Sequence, residues 1–118
     1  MAKMAITCNG SAAPNIYPTC ILASSAVASG DEVILFFTPG GAPVLVKGEM
    51  EKMQDVKGLP DLIELYNGMV ELGVKIYACE LALEAKDLKK EDFREGVEII
   101  GATTFVNEIK DATITFSF

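Results

Sequence analysis

The chain has 118 residues, half of them hydrophobic, and carries 17 acidic against 10 basic side chains for a net charge of −7. That length suits one domain with one core, read here as a single domain over residues 1–118. Nucleic-acid binding needs clustered Lys and Arg to neutralise phosphates, and the basic residues here are scattered and outnumbered. No apolar run approaches the roughly 18–20 residues that cross a bilayer. The opening "MAKMAITC" lacks the apolar stretch and cleavage site of a signal peptide, so a cytoplasmic protein is expected.

In chain order, "MAITC" at 4–8 predicts a first strand, followed by the turn-rich loop "NGSAAPN". Residues 14–29 predict a helix, with Ile16, Cys20, Ala23 and Val27 on one face. Pro14 and Pro18 place its start near one of them, and Gly30 is its expected cap. "EVILFF" at 32–37 is a continuous apolar run, the pattern of a strand buried on both faces. "TPGGAP" reads as a turn, and "VLVKG" as a short helix or an extended edge. Residues 47–58 are polar with Met50 and Met53 interleaved and predict a mobile loop, which could cap a site, line a partner groove or simply be solvated.

A second helix is expected over 60–72, with Leu62, Leu65, Met69 and Leu72 as its stripe and Gly73 as its end. "VKIYA" predicts a third strand, which a short helix follows after Cys79; a charged connection then leads to the fourth strand, "VEII". "GATTFVNEIKD" predicts a last helix with Phe105 and Ile109 four residues apart, and "TITFSF" a closing strand with Ile114, Phe116 and Phe118 on one face. Five strands alternating with helical segments predict a parallel sheet covered on both sides.

In such sheets, sites lie at the carboxyl ends of the strands. Two of the three cysteines fall there: Cys8 after the first strand and Cys79 after the third. With no histidine and no paired cysteines, the usual zinc ligand sets cannot be assembled within the chain, and no imidazole is available as a base. A thiol at a helix N-terminus can instead be activated by free N–H groups and the helix dipole. Glu80 and Glu84 oppose this by placing negative charge nearby, which a more acidic persulfide tolerates better than a thiol does. Cys79 is therefore either a reactive, partly accessible thiol or a packing residue. Cys8 reads first as a strand-ending core residue, and Cys20 as buried on the helix face. "CNGSAAPN" matches neither the dinucleotide nor the P-loop glycine pattern.

The segments "DEVILFFTPGGAPVL", "GVKIYACELALEAKDLKKEDFREGVEIIGATTF" and "ATITFSF" resemble the DsrE/DsrF/DsrH-like family over nearly the whole chain. The resemblance is most specific at Cys79, Leu83, Leu88, Asp92, Phe93, Gly96, Val97 and Gly101. It implies a three-layer α/β/α fold with a five-stranded parallel sheet in the order 4-3-2-1-5, and assembly as homotrimers or hexamers. It also implies sulfur relay: Cys79, aligned with the family's active cysteine, would hold sulfane sulfur as a persulfide. The sulfur would come from a low-molecular-weight or protein donor and pass to a partner such as a TusA-like carrier, with no metal or organic cofactor. Many relatives have glycine at the position of Asp87. The competing expectations are a non-catalytic oligomeric binding module of the same fold, and a flavin-binding or redox protein.

Overall fold

The computed structural model describes residues 1–118. Its five strands are β1 (Lys3–Cys8), β2 (Glu32–Phe37), β3 (Lys75–Cys79), β4 (Val97–Ile100) and β5 (Ile114–Ser117). They form one sheet in the order β4-β3-β2-β1-β5, every pair parallel, as the resemblance implies. The helices are α1 (Ala13–Ala28), α2 (Leu62–Glu71), α3 (Leu81–Ala85) and α4 (Ala102–Glu108).

Strand alternation divides the core in two. Met4, Ile6, Cys8, Val33, Leu35, Phe37, Ile76 and Ala78 pack under α1 and α2 in a 23-residue cluster. Ala5, Ile34, Phe36, Tyr77 and Cys79 face the other way and meet Phe105 of α4 in a cluster of six. The chain steps from β1 through β2 and β3 to β4 in one direction, then returns past β1 to lay down β5. Parallel crossovers keep a right-handed sense, so the reversed step puts α4 on the opposite face from α1 and α2. The result is three layers of unequal weight, with a thin cover over Cys79.

Local signals set the ends of the helices. Pro14 lies in the first turn of α1, whereas Pro18 is accommodated one turn inside it. Asp61 caps α2, its carboxylate accepting from Ile63 N at 2.9 Å and Glu64 N at 3.1 Å. Gly30 and Gly73 follow α1 and α2 with φ of 92° and 90°. The segment 47–58 is not the free loop that its polarity suggests. Met50 is fully buried within a 3-10 turn over Met50–Met53, and Arg94 grips Glu51 through two hydrogen bonds of 3.3 and 3.0 Å while stacking 4.9 Å over Tyr66. "VLVKG" divides: Ala42–Leu45 is a 3-10 turn, and Val46 forms an isolated bridge to Phe93.

Helix α3 ends in a Schellman arrangement. Leu88 N–H donates to Leu83 O at 2.8 Å and Asp87 N–H to Glu84 O at 3.3 Å, with Asp87 at φ 51°. A side chain in that left-handed region costs energy that glycine avoids. Asp87→Gly is expected to stabilise the fold by about 0.5–1 kcal/mol, seen as a higher urea midpoint at unchanged m-value. A lower midpoint would show that the Asp87 side chain supplies an offsetting contact.

Candidate functional site

Cys79 ends β3 and is 3% exposed, so the expected partial accessibility is corrected: the thiol is covered. The cover is α4. Phe105 stacks on Phe36 with centroids 4.4 Å apart and planes 10° from parallel. Tyr77 Oη donates to Glu108 Oε2 at 2.7 Å. Lys3 Nζ donates to Glu108 O and to Asp111 Oδ1, the latter at 2.6 Å. Within α4 only Phe105 is fully buried; Ala102, Thr103, Thr104, Val106 and Asn107 are exposed. One aromatic plug, the half-buried Ile109 and Ala112 just beyond α4, and a few polar ties hold the element that shields Cys79, the arrangement expected of a region that opens locally.

The helix after Cys79 is weaker than its sequence pattern suggests. Helix α3 has five residues, and one of its leading N–H groups, that of Glu80, is committed to Ile100 O at 2.9 Å. A dipole built from so few peptides is small. The Glu80 carboxylate lies over the backbone of Gly101, where an added Cβ would come 2.9 Å from Oε1, so a side chain at 101 would collide with it.

The three thiols separate by layer. Cys8 pairs in register with Phe37, and Phe37 with Ala78, so Cys79 is one step further along and faces the other side of the sheet. Cys8 lies in the large cluster, donating to Gly10 O at 3.5 Å and Asn15 O at 3.6 Å, and burial pushes its thiol up. Cys20, also fully buried there as expected, is pushed up to about 12 by burial and then by its proximity to Cys8. The sheet itself therefore separates Cys79 from Cys8, a stronger barrier than the spacing of two strands.

Tyr66 is likewise pushed up to about 12, chiefly by burial. At neutral pH these groups are protonated in the folded and unfolded chain alike, and their contribution is fully present. From pH 9 for Cys20 and pH 10 for Tyr66, the ordinary thiol and phenol values, up to about pH 12, the unfolded chain releases protons that the folded chain keeps. Stability is expected to fall over that window by about 1.4 kcal/mol per pH unit for each such group. Urea midpoints measured from pH 8 to 11 check this; a flat profile contradicts it.

The crevice between β1 and β5, where the strand order reverses, is the usual ligand position of this topology. Here it is filled. Asn9 Nδ2 donates to Ser117 Oγ at 2.8 Å and Asn15 Nδ2 to Phe118 O at 2.5 Å. The "TPGGAP" turn presses onto the same loop, and a Cβ at Gly41 would come within 2.2 Å of Cys8 O. These glycines allow two backbones to touch and do not form a phosphate cradle.

The chain thus carries a five-stranded parallel sheet and a cysteine ending β3, and the sequence model of the DsrE/DsrF/DrsH-like family matches residues 40–116. The chain belongs to this family. The matched segment of this DsrE-like chain runs from the "TPGGAP" turn into β5 and includes Cys79 and its α4 cover. An uncharacterized protein of Methanocaldococcus jannaschii is 31% identical over 86% of this chain, which spans 37% of that protein. The sulfur carrier protein DsrE2 of Allochromatium vinosum is 28% identical, with 87% of this chain and 89% of that protein covered. Among solved structures, the ychN protein from E. coli superposes with a TM-score of 0.81 at 16% identity, covering both chains fully. A protein of unknown function from Methanobacterium thermoautotrophicum gives 0.75 at 12% identity, over 98% of this chain and 97% of that one. No helix of this DsrE-like chain is long and apolar enough to cross a membrane.

Proposed function

We propose that this chain is a sulfur carrier in a relay, with Cys79 as the residue that takes up and gives up sulfane sulfur. The observation that carries the reading is the placement of its thiols within a family that includes a named sulfur carrier. Cys8 and Cys20 are locked into the large core, while Cys79 ends β3 under a thin cover inside the family-matched segment.

The chemistry is two displacements at sulfur. The Cys79 thiolate attacks the outer sulfur of a donor persulfide, forming Cys79–S–SH as the donor's S–S bond breaks and its thiolate leaves. An acceptor thiolate then attacks that outer sulfur and releases the Cys79 thiolate. No net oxidation or reduction occurs, so neither step calls for a metal or organic cofactor. The donor is a low-molecular-weight or protein persulfide, and the acceptor is a TusA-like carrier in the cytoplasm. The working form is a homotrimer or hexamer. Phe116, 40% exposed on β5, supports assembly because a small domain rarely leaves such surface to water.

The burial of Cys79 favours one other reading, a binding module of the same fold in which the thiol only packs. Intact mass after exposure to polysulfide separates the two: the carrier gains sulfur at Cys79 and the module does not.

A further inference from the structure

We propose that Lys3 latches the α4 cover of Cys79 from the opposite end of the sheet, as the counter-charge between carboxylates that otherwise push the cover open. The inference rests on Cys79 as the working thiol and names what controls its exposure.

The chain fixes the two ends of α4 differently. Gly101 alone joins β4 to the start of α4, beside Ile100 and its register partner Cys79. The longer link over 109–113 joins the end of α4 to β5, so the slack lies at the end remote from Cys79. Lys3, at the start of β1, gathers that slack. Its carbonyl accepts from Thr113 N–H at 3.0 Å, and its Nζ donates to Glu108 O and to Asp111 Oδ1. A lid pivots at a short joint and is held shut at its slack end, and few contacts at that end leave it free to open locally.

Charge makes this tie a latch. The end of the cover carries Glu108 and Asp111, and the sheet beneath carries Glu32 on β2 and Glu98 on β4. Glu98 pairs in register with Tyr77. Burial pushes the Tyr77 phenol up, and the carboxylates of Glu108, Glu98 and Glu32 around it add to the effect. Lys3 is the only basic side chain in ion pairs with this group, 2.6 Å from Asp111 and 3.9 Å from Glu32. Removing its charge therefore loses an attraction and also leaves like charges facing each other across the joint. A lysine that merely filled space would have neither effect.

The test is alkylation of Cys79 by iodoacetamide in the native full chain, with Cys20 as the control for global unfolding. No sulfur transfer is involved, so the latch and the carrier reading can fail separately. Lys3→Met is expected to speed alkylation of Cys79 about fivefold while Cys20 stays slow. Asp111→Asn, at an exposed side chain, is expected to give about twofold and carries the test if Lys3→Met fails to fold. Lys3→Arg keeps the charge and is expected to match wild type. Glu32→Gln added to Lys3→Met is expected to slow alkylation again, because a repelling carboxylate is gone. Added sodium chloride is expected to narrow the gap between Lys3→Met and wild type by screening attraction and repulsion alike. No acceleration in the folded Lys3 or Asp111 variants, equal acceleration of Cys20, Lys3→Arg as fast as Lys3→Met, no slowing on adding Glu32→Gln, or a gap unchanged by salt each overturns the proposal.

Discussion

Phe105→Ala should speed alkylation of Cys79 in the native protein by about a hundredfold or more, while Cys20 stays slow. Truncating a buried Phe costs about 3–5 kcal/mol, and each 1.4 kcal/mol is tenfold in an equilibrium. In α4 that loss falls on the only fully buried residue of a seven-residue helix, so it acts mainly on local opening of the cover. Tyr77→Phe, which removes the bond to Glu108, is expected to have the same sign with a smaller effect, about fivefold for a hydrogen bond worth roughly 1 kcal/mol. Cys20 supplies the internal control, since it reacts only when the large core opens. If Phe105→Ala accelerated Cys79 and Cys20 equally, the route would be global unfolding and α4 would not be a separate cover.

The sheet was largely legible in the chain because its strands are short apolar runs between turn formers. "EVILFF" lies where expected, and the inner face of α1 is the stripe through Cys20. The burial of Cys79 was not legible, because two long-range facts decide it. Strand register sets which way residue 79 points, and the return crossover decides that α4 lands above it. Phe105 was visible as an apolar position in the last helix, but its partner Phe36 is far away in sequence. The 47–58 segment misled through its polarity: Met50 anchors it from below and Arg94 from the side, contacts that local composition does not show. The left-handed turn at Asp87 did leave a trace, since the family resemblance implies glycine there.

The covered position of Cys79 has a consequence for the relay. Under the proposed function, a persulfide on Cys79 would be shielded beneath α4 from stray thiols and would reach an acceptor only when the helix lifts, so loading and discharge should both track the opening rate. Cys8 offers no alternative route, because the sheet lies between the two sulfurs and its thiol is held in the core with its hydrogen atom directed to backbone carbonyls.

The central claim is tested most directly by intact mass spectrometry of wild type, Cys8→Ser and Cys79→Ser after incubation with polysulfide and desalting, followed by addition of a small acceptor thiol. The account predicts a one-sulfur adduct on wild type and Cys8→Ser that the acceptor removes, and loss of at least about 90% of that adduct in Cys79→Ser, since thiol exchange requires the attacking sulfur itself. Retention of the full adduct by Cys79→Ser, or its loss in Cys8→Ser alone, would contradict the assignment of Cys79 as the carrier.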